Sequence, residues 1–202
     1  MERLFPIFVK LSGRQVLVVG GGAVGEAKIR TLLDTGAQIR VVALQANPAV
    51  REWADAGAIG LEERAFLAAD LEGAFLVVAA TSSRELNKLI FDETQRRGIL
   101  CNVVDVPELC DFFYPAVVRR GDLQIAISTA GQSPLLAQRI RKRLEQQFGP
   151  EYEGWVAELG KLRREVLSSD LPAERKRELL RSLTSQDKFS FGCGRSRGEE
   201  EQ

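Results

Sequence analysis

Gly20-Gly21-Gly22-Ala23-Val24-Gly25 is the stretch of this sequence whose residue types and spacing most directly imply chemistry. It satisfies G-x-G-x-x-G, directly after the apolar run Gln15-Val16-Leu17-Val18-Val19 and where a helix can open. In that setting Gly20 permits a tight turn, Gly22 lets the backbone approach a pyrophosphate, and Gly25 lets the helix pack against the strand. The free N–H groups of the first helical turn, those of Ala23 and Val24 included, attract phosphate charge. The bland alternative is a glycine-rich turn that holds no ligand. An acidic residue about 20 positions on, the usual partner of the ribose hydroxyl, is missing, because the next apolar run ends in Val42-Ala43-Leu44-Gln45. Gln45, or backbone groups of Leu44 and Gln45, could take its place. Arg40 lies within that strand and reads as solvated rather than as a grip on a 2′-phosphate, which favours NAD over NADP.

Asn102-Val103-Val104-Asp105 places a carboxylate just past the end of another apolar run, the edge where ligands of open α/β sheets sit. Asp105 is therefore a candidate base, with a turn or capping aspartate ahead of Pro107 as the alternative. Thr81-Ser82-Ser83 offers either a hydroxyl contact to a cofactor, from Thr81, or the N-cap of the following helix, from Ser82 or Ser83. Ser128-Thr129-Ala130-Gly131-Gln132-Ser133-Pro134 supplies hydroxyls and free N–H groups that could hold a carboxylate, and Arg139, Arg141, Lys142 and Arg143 follow it. Such a cationic helix is either a solvated face or a recogniser of a small anion. The sequence has no histidine, which removes imidazole catalysis and histidine metal ligands. Cys101, Cys110 and Cys193 have no metal-type spacing, so neither a metal site nor a disulfide framework is expected.

The elements that must position these groups alternate. After the strand at 15–19 the periodicity predicts a helix over 23–35 capped by Gly36, a strand over Gln38 to Ala43, a helix over 48–56 and a short strand near 59–64. A buried strand over Ala74 to Ala80, a helix over 83–97 and a strand over Ile99 to Val104 continue the pattern, which implies a parallel sheet with helices on both faces. Pro115 to Arg120 and Leu123 to Ser128, joined by Gly121-Asp122, read as a hairpin. Ser133-Pro134 opens a helix that ends near Gly149, and helices over about 151–168 and 172–183 complete the chain. The fold class is thus α/β, a Rossmann-type parallel sheet followed by a small hairpin segment and a helical end. The expected parts are 1–113 for the dinucleotide domain, 114–148 for a dimerisation segment, 149–184 for a helical cap, and a disordered tail from 185 to 202.

Among 202 residues, 28 Lys and Arg balance 28 Asp and Glu, which argues against a general polyanion binder. The positive charge is local: residues 119–143 carry six basic groups and one acidic. No run approaches the roughly 20 apolar residues of a membrane span, and the start lacks the apolar run of a signal peptide, so neither membrane nor nucleic acid is expected as a partner and the cytosol is the expected compartment.

Phe5-Pro6-Ile7-Phe8 with Leu11, Val16 to Gly22, Ala79-Ala80-Thr81 with Leu86-Asn87, Asn102 to Asp105, and Ile125 to Pro134 together resemble the precorrin-2 dehydrogenases of sirohaem synthesis, including the amino-terminal part of the bacterial multifunctional sirohaem synthase. The resemblance covers about residues 5 to 185. It implies NAD-dependent oxidation of precorrin-2, an anionic tetrapyrrole, to sirohydrochlorin in a homodimer whose middle segments interlock. It implies Asp105 as the key carboxylate, as a base or as a fixed charge. It also implies the glycine loop and the end of the second strand as the NAD site and the loop holding Ser128, Thr129, Gly131 and Ser133 as substrate-facing, and an anionic substrate suits the cationic stretch that includes Arg139. Some members also insert iron, and members that methylate uroporphyrinogen carry a large further domain for which this length leaves no room. A non-catalytic NAD redox sensor is the rival of another class.

Overall fold

The computed structural model describes residues 3–185, so positions 186–202 of the expected tail, Cys193 among them, lie outside the described residues. The chain forms two compact units, one up to Tyr114 and one from Pro115 onward.

In the first unit the elements run β1 (Gln15–Gly21), α1 (Ala23–Leu32), β2 (Gln38–Ala46), α2 (Pro48–Asp55), β3 (Gly60–Glu63), β4 (Leu76–Ala79), α3 (Arg84–Arg97) and β5 (Leu100–Val103). The five strands are all parallel, in the order β3-β2-β1-β4-β5. The chain therefore winds outward from β1 through β2 to β3, then returns to the other side of β1 for β4 and β5. Alternation along β1 divides the core. Val16 and Val18 face Ile29 and Leu32 of α1 and Val50 of α2, while Leu17 and Val19 face Ile90 of α3 with Leu71, Val77 and Val103. Each such fully buried aliphatic side chain contributes about 1.5–3 kcal/mol, so the two-sided burial is what fixes the sheet.

The parallel sheet agrees with the expectation, and the differences lie at element ends. Helix α1 tightens into a 3-10 turn over Leu33–Thr35 before Gly36, whose φ of 70° is the left-handed cap that glycine serves. β2 continues three residues past Ala43 because its end is held from outside: Glu63 accepts from the Ala46 N–H at 3.1 Å and pairs with Arg51 of α2 at 2.7 Å. β4 is shorter than its apolar run, and Ala68–Leu71 ahead of it form a 3-10 turn whose Asp70 carboxylate accepts from the Leu67 N–H at 2.8 Å.

The second unit comprises an antiparallel hairpin, β6 (Ala116–Arg120) and β7 (Leu123–Ile127), then α4 (Pro134–Gln147), α5 (Glu151–Ser168) and α6 (Ala173–Ser185). Gly121, at φ 54°, makes the turn. Ser133 caps α4 by accepting from the Leu136 N–H, with Pro134 at the first helical position. Arg120 donates to the Phe148 and Glu145 carbonyls at 2.8 and 3.1 Å, tying the hairpin to the carbonyl end of α4. Phe148, Tyr152 and Trp155 stack edge to face onto α5. Among the described residues, no helix is long and apolar enough to cross a membrane.

Candidate functional site

A cleft of about 780 Å³ opens at the carboxyl ends of the strands, where the winding reverses between β1 and β4. Sheet order dictates the order of its walls. Arg64 to Phe66 follow β3, Leu44 and Gln45 lie at the end of β2, Gly20 to Val24 follow β1, Thr81 to Ser83 follow β4, and Asp105 follows β5.

The glycines divide by what a side chain would meet. A Cβ on Gly25 would lie 2.0 Å from the Gly20 carbonyl oxygen, and one on Gly20, at φ 113°, would lie 2.4 Å from that of Ala80. These two positions let α1, β1 and β4 close on one another. Gly21, which the motif reading left without a role, packs equally tightly on β2: its Cβ would come within 2.9 Å of the Ala46 Cα. Gly22 differs, with ordinary backbone angles and nothing within 4 Å of where its Cβ would be. The space it leaves faces the cleft, and no side chain caps the helix end behind it. An open approach over an uncapped helix terminus fits a dinucleotide pyrophosphate.

Along β1 and β2 the register passes from Val19 opposite Val42 to Gly21 opposite Ala46, so the second strand carries extra residues and bulges. Leu44 and Gln45 occupy the bulge, and both are exposed on the cleft wall, Leu44 at 77%. Across the cleft, Asn87 is buried and its amide clasps one residue: Nδ2 donates to the Thr81 carbonyl at 3.0 Å, and Oδ1 accepts from the Thr81 hydroxyl at 2.7 Å. Thr81 thus lines the cleft with its hydroxyl proton held within the chain, between Asn87 Oδ1 at 2.7 Å and the Ser83 carbonyl at 3.1 Å. Ser83 is the helix cap, accepting from the Leu86 N–H at 3.1 Å.

Asp105 is an exposed turn residue and a cleft residue at once. Its φ is 62°, a left-handed conformation that Asp tolerates better than most side chains, and the Val106 N–H closes the turn on the Val103 carbonyl at 3.2 Å. Among the described residues no group hydrogen-bonds its carboxylate. Its charge acts on Lys28 of α1, whose ammonium sits 4.0 Å from the centre of the Tyr114 ring. Burial lowers the Lys28 pKa, and Asp105 opposes that shift. Burial holds the Cys101 thiol at about 11 and also raises Cys110, so neither is a ready thiolate. Among the described residues no cluster of three or more acidic or cysteine side chains could hold a metal ion.

The expected substrate-facing residues Ser128, Thr129, Gly131, Ser133 and Arg139 belong to the second unit. There Ser128 Oγ accepts from the Ala130 N–H, Thr129 Oγ1 accepts from the Ser133 N–H, and Ala130 and Gly131 are both left-handed, at 49° and 79°. Ser133 spends its acceptor on the α4 cap. Arg139 is exposed and has no ion pair among the described residues.

Arg64, Ala65 and Phe66 are the cleft residues that sequence reasoning missed. The expected short strand near 59–64 already contained the signal, since the end of a strand paired with β2 must reach the same edge.

A doubly wound parallel sheet with a glycine turn at its switch point defines a dinucleotide-binding protein. The family described as "Putative NAD(P)-binding" matches residues 7–116, and that described as "Sirohaem biosynthesis protein central" matches residues 120–147. A solved structure titled SirC, precorrin-2 dehydrogenase, is similar with a TM-score of 0.77 and 30% identity, covering 91% of this chain and 90% of that one. Siroheme synthase of Methylococcus capsulatus is 42% identical over 172 residues, 85% of this chain and 36% of that protein. That of Ectopseudomonas mendocina is 42% identical over 177 residues, 88% and 38% respectively. The chain belongs to the sirohaem-biosynthesis family of NAD(P)-binding proteins that includes precorrin-2 dehydrogenase, and it spans little more than a third of the siroheme synthases it matches.

Proposed function

We propose that this chain oxidises precorrin-2 to sirohydrochlorin with NAD, as a homodimer in the cytosol. The observation that carries the reading is the cleft itself, whose walls follow sheet order from Arg64 at one end to Asp105 at the other. The ribose of a dinucleotide on such a sheet sits at the end of β2, which directs the reactive ring toward the β4 and β5 side. NAD, when bound, accepts the hydride that the macrocycle gives up. The glycine turn binds the pyrophosphate, and Thr81 to Ser83 set the wall along which the cofactor lies. Asp105 either takes the proton that the macrocycle loses or holds a fixed negative charge against the cation left behind. The exposed loop from Ser128 to Ser133, with Arg139, is suited to the carboxylates of the substrate. Free cysteines at 101 and 110 accord with a reducing compartment.

Purified protein incubated with precorrin-2 and NAD should form sirohydrochlorin, followed by absorbance, and an arm with ferrous iron asks whether the product is also metallated. Dinucleotide binding with every tetrapyrrole unchanged would mark a sensor instead. Asp105→Asn should keep the fold and the dinucleotide affinity and lose turnover by on the order of 10²-fold. The pH profile separates the two roles: a base gives a wild-type activity limb that vanishes in the variant, whereas a fixed charge gives none near neutrality.

The homodimer is supported by uncovered apolar surface on the second unit. Leu135, at the start of α4, is 84% exposed and Leu136 beside it is 48% exposed, next to a two-stranded sheet of a kind marginal by itself. Light scattering at low concentration should give twice the chain mass, and Leu135→Lys should shift it toward the monomer. A wild-type protein that is monomeric and active would remove the dimer.

A further inference from the structure

With the cleft read as the dinucleotide site, on which the inference rests, the choice between NAD and NADP falls to its β2–β3 end. Ala43 of β2 pairs with Glu63 of β3, so the next residue, Arg64, emerges beside Leu44 at the edge where a dinucleotide places its ribose. Both line the cleft. An arginine there is the group expected to accept a 2′-phosphate. This one is fully occupied.

A guanidinium has five N–H donors, and five hydrogen bonds are present. Nε donates to Glu62 Oε2 at 2.9 Å and Nη2 to the same oxygen at 2.6 Å. Nη2 also donates to Asp70 Oδ1 at 2.6 Å, and Nη1 to Asp70 Oδ2 at 2.8 Å and to the Ala65 carbonyl at 2.9 Å. The Asp70 side chain is 5% exposed and is fixed further by the Leu67 N–H, so it cannot swing away to release its partner. Arg40 joins the group, donating to Glu62 Oε1 at 2.9 Å and approaching Asp70 at 3.5 Å. Two guanidiniums and two carboxylates leave the cluster with no net charge.

We propose that Glu62 and Asp70 set cofactor choice by saturating Arg64, so that a 2′-phosphate meets neither a free donor nor a net positive charge while a 2′-hydroxyl is unaffected. Selectivity is thus held by residues behind the cleft wall, in place of the missing acidic residue at the end of β2. Glu62 is the exposed member and the one to change first, because removing it frees two donors on Arg64 and one on Arg40 and leaves the cluster with a charge of about +1 without opening the core.

The test is titration of NADH and NADPH by fluorescence on wild type, Glu62→Ala, Asp70→Asn and the double variant Glu62→Ala/Arg64→Leu, each checked for a cooperative thermal transition. Wild type should bind NADH at least about tenfold more tightly than NADPH. Glu62→Ala should narrow that ratio by about fivefold or more through tighter NADPH binding, an effect that added salt suppresses, as expected for a newly exposed charge. Asp70→Asn, if folded, should act in the same direction, and adding Arg64→Leu should restore the wild-type ratio. An unchanged ratio in Glu62→Ala, or a gain that survives loss of Arg64, would overturn the proposal while leaving the cofactor site in place. A wild type that binds NADPH as well as NADH also overturns it, and one that binds neither removes the cofactor reading together with it. The ratio is measured without precorrin-2, so failure of the dehydrogenase reaction alone does not touch the outcome.

Discussion

The two ends of the cleft are built by opposite means. At the glycine turn the chain has removed side chains until only backbone remains, and its three tight positions are tight against other backbone. At the β2–β3 end a single charged side chain, Arg64, lines the cleft, and Arg40, Glu62 and Asp70 behind it complete a cluster whose charges neutralise one another. The three tight glycine positions tolerate no addition. The charged end tolerates exposure to water yet depends on a balance among four residues. On the proposed reading, one dinucleotide is held by geometry at its phosphates and sorted by charge at its ribose, and the contrast teaches that the two tasks call for opposite construction.

The largest expected effect lies at the glycine end. Gly25→Val must push α1 off β1, since the neighbour of the new Cβ is a carbonyl oxygen rather than a movable side chain. It should destabilise the first unit by about 3 kcal/mol or more and abolish dinucleotide binding, read by urea denaturation and calorimetry. Gly22→Val should keep the wild-type unfolding midpoint, because that position has open space and ordinary backbone angles, yet weaken dinucleotide binding by about tenfold or more. Equal stability losses in the two variants would erase the division between packing and binding glycines.

The smallest effect lies at the charged end, and it depends on pH. Hydrogen bonds from Arg64 hold the Asp70 carboxyl below its ordinary value of 3.8, and those from Arg40 and then Arg64 hold Glu62 below 4.5. A carboxylate depressed in the folded state stabilises the fold fully above its unfolded pKa, and that stability is lost as pH falls through the folded value. Wild type should therefore lead Asp70→Asn in stability at about pH 6, and the gap should shrink once pH drops below about 4. Denaturation midpoints measured between about pH 3 and neutrality check this, and a gap that does not change with pH would mean that the ion pairs contribute nothing.

The same contrast explains what can be read from the sequence. The glycine turn is legible because its residues are contiguous and their spacing is the signal. The alternation of strands and helices is legible because burial on both faces leaves unbroken apolar runs such as Val16 to Val19. The charged end is not legible in that way: Arg40 meets Glu62 and Asp70 only because β2 pairs with β3, and no local pattern records the pairing. The bulge at Leu44 and Gln45 is equally hidden, since it arises from a register slip against β1. Strand counting puts Asp105 at the cleft edge where the structure has it, while its left-handed backbone follows from the turn that closes behind it.

The grip of Asn87 on Thr81 has a thermodynamic consequence. With both sides of the amide engaged and Ser83 anchoring the helix behind, the wall after β4 is tied down by the chain's own side chains. On the proposed reading, a loop tied in this way forfeits little conformational entropy on association. Asn87→Ala would return that freedom to the unliganded protein, so its cost would be felt at the moment of encounter rather than in the contacts of the finished complex.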